Sequence, residues 1–301
     1  MTLPVTFSAF ILTPAKVNLG LKVVRRREDG YHDIYTVMEP ISLADTIYCE
    51  FRPAGENSFS LQSPQMMELE VEDNLVIKAA RRMVEIAGEQ GLVRNGHWSF
   101  WLEKRIPAGA GLGGGSSNAA GVMNLFKDFY QLKLGLDELV ADAARIGADI
   151  PFFLRPEISL IEGIGDRITP LPRTQKRYYL LIKPPVSINT GWAYSSLNAT
   201  SESRSPDYDI EQFKGISVSS GYILENDFEI PIMASYPLLA EIKEWLANSP
   251  GSLGGLMSGS GSVVYAIYPD LERAVRSEAS ARQHWGSSGC EFFIACNLNP
   301  F

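Results

Sequence analysis

Apolar and polar residues alternate over residues 15–24. Val17, Leu19, Leu21 and Val23 fall on one side, and Lys16, Asn18, Gly20 and Lys22 on the other. A period of two predicts a half-buried strand. The apolar run 5–12 predicts a strand before it, with Thr13-Pro14 as the break. Residues 41–51 read as two strand-like pieces around Ala44-Asp45, residues 59–67 as a further strand, and residues 98–106 alternate again. Helical spacing begins after Asp73-Asn74, either of which can cap a helix through Gly88. Val122, Met123, Phe126 and Phe129 mark a second helix, and Leu136, Leu139, Val140 and Ala143 a third over 136–146. Residues 158–171 hold a strand entering a turn at Glu162-Gly163-Ile164-Gly165, and 178–183 form an apolar strand closed by Pro184-Pro185. Helices over 237–247 and 271–283 flank a strand at 263–268.

Between the strand ending near Ile106 and the second helix lies Pro107, Ala108, Gly109, Ala110, Gly111, Leu112, Gly113, Gly114 and Gly115, followed by Ser116, Ser117 and Asn118. Glycine loses more backbone freedom on folding than any other residue, so this density implies close approach to the main chain. The serines and the asparagine are good N-caps. Free amides at a helix start, together with the helix dipole, favour an anion such as phosphate. The loop is neither a P-loop, since no Gly-x-x-x-x-Gly-Lys-Ser/Thr occurs, nor a dinucleotide fingerprint, since Ser116 occupies the third glycine position. A second glycine cluster, residues 254–262, precedes the strand at 263–268.

Composition narrows the class. The chain has 301 residues, 45% hydrophobic and 21% charged, enough for one large or two ordinary domains. Pro170, Pro172 and the basic stretch 173–177 place a boundary near residue 172, giving domains 1–172 and 173–301. A net charge of −8 argues against a nucleic-acid surface but not against a small anionic substrate. Cys49, Cys290 and Cys296 read as free thiols of a reducing compartment. No leader-like or membrane-spanning pattern is apparent, so the expected location is cytoplasmic, with no obligate protein partner inferred. Residues 195–209 are serine-rich and predict a mobile loop.

The loop resembles the central motif of the GHMP kinases, which wraps the phosphates of ATP. Pro14-Ala15-Lys16-Val17-Asn18-Leu19 resembles that family's first motif, Gly147-Ala148-Asp149-Ile150-Pro151 its carboxylate motif, and residues 254–262 its third, with Ser262 where proline is frequent. Read alone, Lys16 would be a solvated strand position and Asp149 a solvated helix end, since Pro151 pushes Ile150 out of helical geometry. Asp29-Gly30-Tyr31-His32, the stretch 184–190 with Tyr194, and Asn226-Asp227-Phe228-Glu229 resemble the branch of the family that acts on a diphosphocytidyl alcohol.

The resemblance implies an α+β, two-domain fold. Its N-terminal part would be mixed α/β with left-handed β-α-β character, its C-terminal part a ferredoxin-like sandwich, with a cleft between the domains. It implies ATP and Mg2+ as cofactors and a cytidyl diphosphate substrate, phosphorylated at the 2-hydroxyl of its methylerythritol on the route to isoprenoid precursors. Asp149 becomes the candidate base and Lys16 the group that orients it and offsets charge. The loop residues 107–117, with Asn74 and Lys104, become candidates for ATP; Ser116 or Ser117 would bond phosphate or a magnesium ion held mainly by ATP oxygens. Asn18, Asn118, Gly259 and Ser260 become candidates for the acceptor, and Tyr31, His32 and Tyr194 for the base, a flat face and a polar edge suiting cytosine. The alternatives are another small-molecule kinase of mevalonate or homoserine type, and a nucleotide-binding relative without chemistry.

Overall fold

The computed structural model describes residues 6–64, 71–173, 175–197 and 225–298. The chain groups into two compact units, each assembled from several segments. Unit 1 is Met1–Ala15, Ala44–Ile106 and Gly113–Arg155, and unit 2 is Lys16–Leu43, Pro107–Leu112 and Pro156–Phe301. The division expected near residue 172 follows the chain, whereas these units do not. The reason is that strands β1 (Phe7–Arg26) and β2 (His32–Pro53) each run through both.

In unit 1, β2 pairs antiparallel with β4 (Gly96–Glu103) from Thr46↔Glu103 to Pro53↔Gly96, and β3 (Ser58–Gln62) pairs parallel with β4. Helix α1 (Leu75–Glu89) joins β3 to β4 and turns Val76, Ile77, Ala80, Met83 and Ala87 inward. Its start is fixed by Asn74, whose side chain accepts from Val76 N. Helices α2 (Gly114–Tyr130), α3 (Leu136–Ile146) and α4 (Ile150–Leu154) follow. Trp98 of β4 packs 4.3 Å from Phe126 of α2 and 4.9 Å from Phe51 of β2, ring centre to ring centre, which anchors α2 on the sheet.

In unit 2, β5 (Ser159–Gly163) pairs antiparallel with β2 over Ile34–Met38 and with β6 (Arg167–Pro170). A second sheet contains β7 (Tyr178–Lys183), β8 (Gly255–Met257), β9 (Val264–Tyr268) and β10 (Glu291–Cys296) in the antiparallel order β10-β7-β9-β8. Helices α5 (Thr190–Ser196), α6 (Glu229–Ser235) and α7 (Pro237–Asn248) lie between β7 and β8 in sequence, and α8 (Leu271–Trp285) between β9 and β10. This is the ferredoxin-like arrangement expected of the C-terminal part. Leu180, Ile182, Leu239, Ile242, Val264 and Ala266 form its core. Arg177 meets Glu39 through two hydrogen bonds, of 2.9 and 2.6 Å, and Tyr179 OH also donates to Glu39, so this buried charge is fully partnered.

Several elements differ from the sequence reading. Thr13-Pro14 does not break β1, and Ala44-Asp45 does not divide β2. Proline spoils a strand only where its missing N–H belongs to the ladder. β1 is not half-buried around its polar face: Lys16 is 3% exposed and Asn18 0%, while Val17 and Leu19 on the other face are buried too. β3 ends at Gln62, and of the strand expected over 59–67, residues 65–67 lie outside the described residues. The loop expected over 195–209 begins inside α5, and residues 198–209 lie outside the described residues.

Candidate functional site

Unit 2 carries Lys16 and Asn18 at the middle of β1. Lys16 Nζ donates to Asn18 Oδ1 at 2.7 Å, and Lys16 N donates to Leu112 O at 3.0 Å, which ties the first glycine loop to this strand. Val263 N donates to Ala110 O at 3.2 Å, and Ser258 Oγ donates to Gly111 O at 2.9 Å. The segment Pro107–Leu112 is therefore tied at Gly111 to the second glycine cluster and at Ala110 to the residue that follows it. Gly109, Gly111 and Gly113 have φ of 60°, 76° and 69°, a region that favours glycine. Gly259 (φ 56°) lies where a methyl group would come 3.3 Å from Gly111 O and 3.4 Å from Asn18 Oδ1. Ser260 Oγ is 3.2 Å from Thr190 Oγ1. Ser262, which stands where the motif often has proline, uses its hydroxyl to reach Val186 O at 2.6 Å. Asn226 holds the same cluster from behind, donating to Met257 O and Gly259 O.

The base-binding candidates are also in unit 2. His32, the first residue of β2, stacks on Tyr194 of α5, with ring centres 4.7 Å apart and planes inclined by 23°. Phe228 meets Tyr194 edge-on at 4.9 Å. Tyr31 is 60% exposed, a free aromatic face beside that stack in sequence. Burial, and then the charge of Arg26, hold the His32 pKa below its ordinary value of 6.5, so the ring is neutral at pH 7.

Unit 1 carries the helix end of the loop. α2 begins at Gly114, earlier than expected, with Gly113 in the left-handed region and no side chain capping it. Ser116 and Ser117 therefore sit in the first turn and are not N-caps. Ser117 N already bonds Gly113 O at 2.9 Å, whereas the amides before it have no partner within the helix. Ser117 is 2% exposed, and its Oγ is buried without a hydrogen-bond partner. An uncapped helix start beside an orphaned hydroxyl fits a phosphate, alone or with its metal ion. Lys104, just past β4, brings its ammonium to 3.1 Å from where a methyl group on Gly114 would stand. It is held by Asp45 and by Asn118 Oδ1 at 3.3 Å.

The sequence marks Asp45 only as part of an expected break between strands and not as a site residue. It is wholly buried and accepts from Arg105 N at 2.7 Å, Ile106 N at 2.8 Å and Asn118 Nδ2 at 3.1 Å, in addition to Lys104. It thus fixes the chain just before the glycine loop and, through Asn118, the N-terminal part of the helix just after it. No sequence motif marks it, because two of its partners are main-chain amides about sixty residues on. Asn74 spends its side-chain oxygen on the cap of α1. Asp149 is partly exposed at the start of α4, and its carboxylate makes no cap bond there. Ile150 is helical, contrary to expectation: Pro151 lies in the first turn of α4, where its ring is tolerated, and the chain leaves α3 at the extended Gly147. Among the described residues no group of three or more His, Cys, Asp or Glu side chains stands ready to hold a metal ion, and no helix is long and apolar enough to cross a membrane.

The GHMP kinases N terminal domain matches residues 74–156, and the GHMP kinases C terminal domain matches residues 210–286. A 4-diphosphocytidyl-2-C-methyl-D-erythritol kinase of Syntrophus aciditrophicus is 38% identical over 269 residues, covering 89% of this chain and 92% of the relative. The chain belongs to this kinase family, a branch of the GHMP kinases. A relative of the same name from Syntrophotalea carbinolica is 34% identical, covering 93% of this chain and 97% of its own length. A crystal structure of a 4-(cytidine 5'-diphospho)-2C-methyl-D-erythritol kinase superposes with a TM-score of 0.79 at 32% identity, covering 97% of this chain and all of that one. A homoserine kinase from Cytophaga hutchinsonii, at 18% identity and a TM-score of 0.67, shares the fold alone. This GHMP kinase is accordingly an ATP-dependent phosphotransferase.

Proposed function

We propose that the protein transfers the γ-phosphoryl group of ATP to the 2-hydroxyl of 4-diphosphocytidyl-2-C-methyl-D-erythritol, in the methylerythritol route to isoprenoid precursors. The observation that carries this reading is the likeness, across nearly the whole chain, to relatives of that name. The stack of His32 on Tyr194 supports the cytidyl part: two residues far apart in sequence present a flat face and a polar edge together. The orphaned Ser117 hydroxyl and the uncapped start of α2 support the phosphate part.

Bound Mg2+–ATP supplies the phosphoryl group, with part of its charge neutralised by the metal. The chain's own residues position and neutralise. In this reading the amides at the start of α2 and the loop 107–113 bind phosphate oxygens, Ser117 or Ser116 adds a hydroxyl, and Lys104 contributes positive charge close to the helix start. Asp149 accepts the proton of the acceptor hydroxyl as the new oxygen–phosphorus bond forms. Lys16 stabilises negative charge at the reacting centre, and Gly259 and Ser260 orient the acceptor. Asn18 and Asn118, acceptor candidates in the sequence, are buried with their side-chain amides bonded inside the protein, and act instead through Lys16 and Lys104. Tyr31, His32 and Tyr194 hold the cytosine, and that remote binding fixes the hydroxyl for reaction. The protein acts in the cytoplasm in this reading, with no obligate protein partner.

The test is ADP release in a coupled assay with purified protein, ATP, Mg2+ and a panel of acceptors. Turnover with the cytidyl alcohol and background rates with mevalonate, homoserine and galactose are expected. Turnover with one of those three and none with the cytidyl alcohol would reassign the substrate; ATP binding without any turnover would mark a non-catalytic relative.

A further inference from the structure

Asn18 is held at each of its polar atoms. Its main-chain N donates to Ser258 Oγ at 3.4 Å, and its carbonyl accepts from Tyr265 OH at 2.6 Å. Its Oδ1 accepts from Lys16 Nζ at 2.7 Å, and its Nδ2 donates to Thr36 Oγ1 at 2.7 Å. Thr36 Oγ1 in turn donates to Gly20 O at 2.7 Å. Lys16, Asn18 and Thr36 are all buried, the last two fully.

Only one arrangement of protons satisfies this chain. The Gly20 carbonyl can only accept, so the single proton of the Thr36 hydroxyl is committed to it. The hydroxyl can then only accept from Asn18. That forces the amide nitrogen of Asn18 toward Thr36 and its oxygen toward Lys16. An ammonium has donors and no acceptor, so this is the one orientation of the amide that Lys16 can use. Turning the amide over would set two donors against the ammonium and leave a buried carbonyl oxygen against a spent hydroxyl.

We propose that Thr36 is a positioning residue for the reaction: by fixing the orientation of the Asn18 amide it aims the Lys16 ammonium. The inference rests on the role given above to Lys16, and it adds a residue that touches neither nucleotide nor acceptor. Thr36→Val keeps the shape and removes the hydroxyl, while Thr36→Ser keeps the hydroxyl.

The test is steady-state kinetics at saturating ATP and acceptor, with rates expressed per folded enzyme. Thr36→Val is expected to lower kcat about tenfold or more, with KM for ATP within about twofold of wild type, because the loss is one of aim and not of nucleotide binding. Thr36→Ser is expected to recover kcat to within about threefold. In an Asn18→Ala background, Thr36→Val should cost less than about twofold more, since the amide it orients is gone. If Thr36→Val is too unstable to assay, Thr36→Ala carries the same expectation, with Thr36→Ser again as the rescue. Wild-type kcat in Thr36→Val beside an inactive Lys16→Met, or full additivity with Asn18→Ala, overturns the role of Thr36 alone. A wild-type protein without turnover, or an unimpaired Lys16→Met, overturns the reading of the site and this inference with it.

Discussion

Gly111 lies against the main chain of Ser258: a methyl group in place of its hydrogen would run into the Ser258 carbonyl and come 3.2 Å from Gly261 O. Its φ of 76° is also one that side chains rarely adopt. Two glycine-rich segments, far apart in sequence, thus meet at a point where neither can retreat. Gly111→Ala is expected to lower the melting temperature and to reduce turnover more than about tenfold, with about 1–3 kcal/mol of backbone strain before any steric displacement. Gly88→Ala is the control. Gly88 lies in α1 with nothing within 4 Å of an added methyl group, and the substitution should stabilise by about 0.4–1 kcal/mol. Thermal melts of the two variants should move in opposite directions; parallel shifts would remove the close approach as the reason for Gly111.

Asp45 predicts a charge effect. Asp45→Ala strands the Lys104 ammonium in a site where its side chain is 11% exposed, and frees the amides of Arg105 and Ile106. Breaking a buried pair from one side typically costs about 3–5 kcal/mol. The double variant Asp45→Ala/Lys104→Met should be less destabilised than Asp45→Ala alone, because the unpaired charge has gone. Chemical denaturation of wild type, Asp45→Ala, Lys104→Met and the double variant checks this. A double variant as unstable as the sum of the singles would show that the ion pair is not what Asp45 provides.

His32 predicts a pH dependence. Its pKa is lowered, first by burial and then by Arg26, so the ring stays neutral at and above its ordinary value of 6.5 and gains a proton only below it. If the neutral ring reads the cytosine, KM for the cytidyl alcohol should rise as pH falls below 6.5 and stay flat above, with kcat at saturation unchanged by this group. His32→Gln should raise KM at all pH values and remove the acid limb. A limb that survives in His32→Gln belongs to another group.

Asp149 predicts a rate effect without a binding effect. Asp149→Asn should fold, bind ATP and the cytidyl alcohol, and lose at least about a hundredfold in kcat, the scale of general base catalysis. Isothermal titration and single-turnover rates separate the two quantities. Near-normal turnover would remove Asp149 from the role of base.

The architecture was legible where a pattern repeats. α3 begins and ends where its apolar face predicts, and β7 occupies the predicted apolar run. The strand, glycine loop and helix sequence around Gly113 was read from spacing alone, although the helix starts before its serines, because two glycines open it with no side-chain cap. Elements that exist only by partnership were not legible. β8 is three residues long and is a strand because it pairs with β9, and β10 is a short apolar run defined by its register with β7. The unbroken passage of β2 through Ala44-Asp45 has the same origin, since β4 pairs with it from Thr46 onward. Within the candidate site, Lys16 and Asp149 stood out by motif, whereas Asp45 and Thr36 did not. Each acts through main-chain groups or another side chain, and no local pattern records such bonds.

The most direct measurement is phosphorus NMR of the product formed by the purified protein from ATP and 4-diphosphocytidyl-2-C-methyl-D-erythritol. The account predicts a new phosphate monoester on the 2-hydroxyl, formed in step with ADP, with the cytidyl diphosphate intact. ADP without a new monoester, or a monoester on any other hydroxyl, would contradict it.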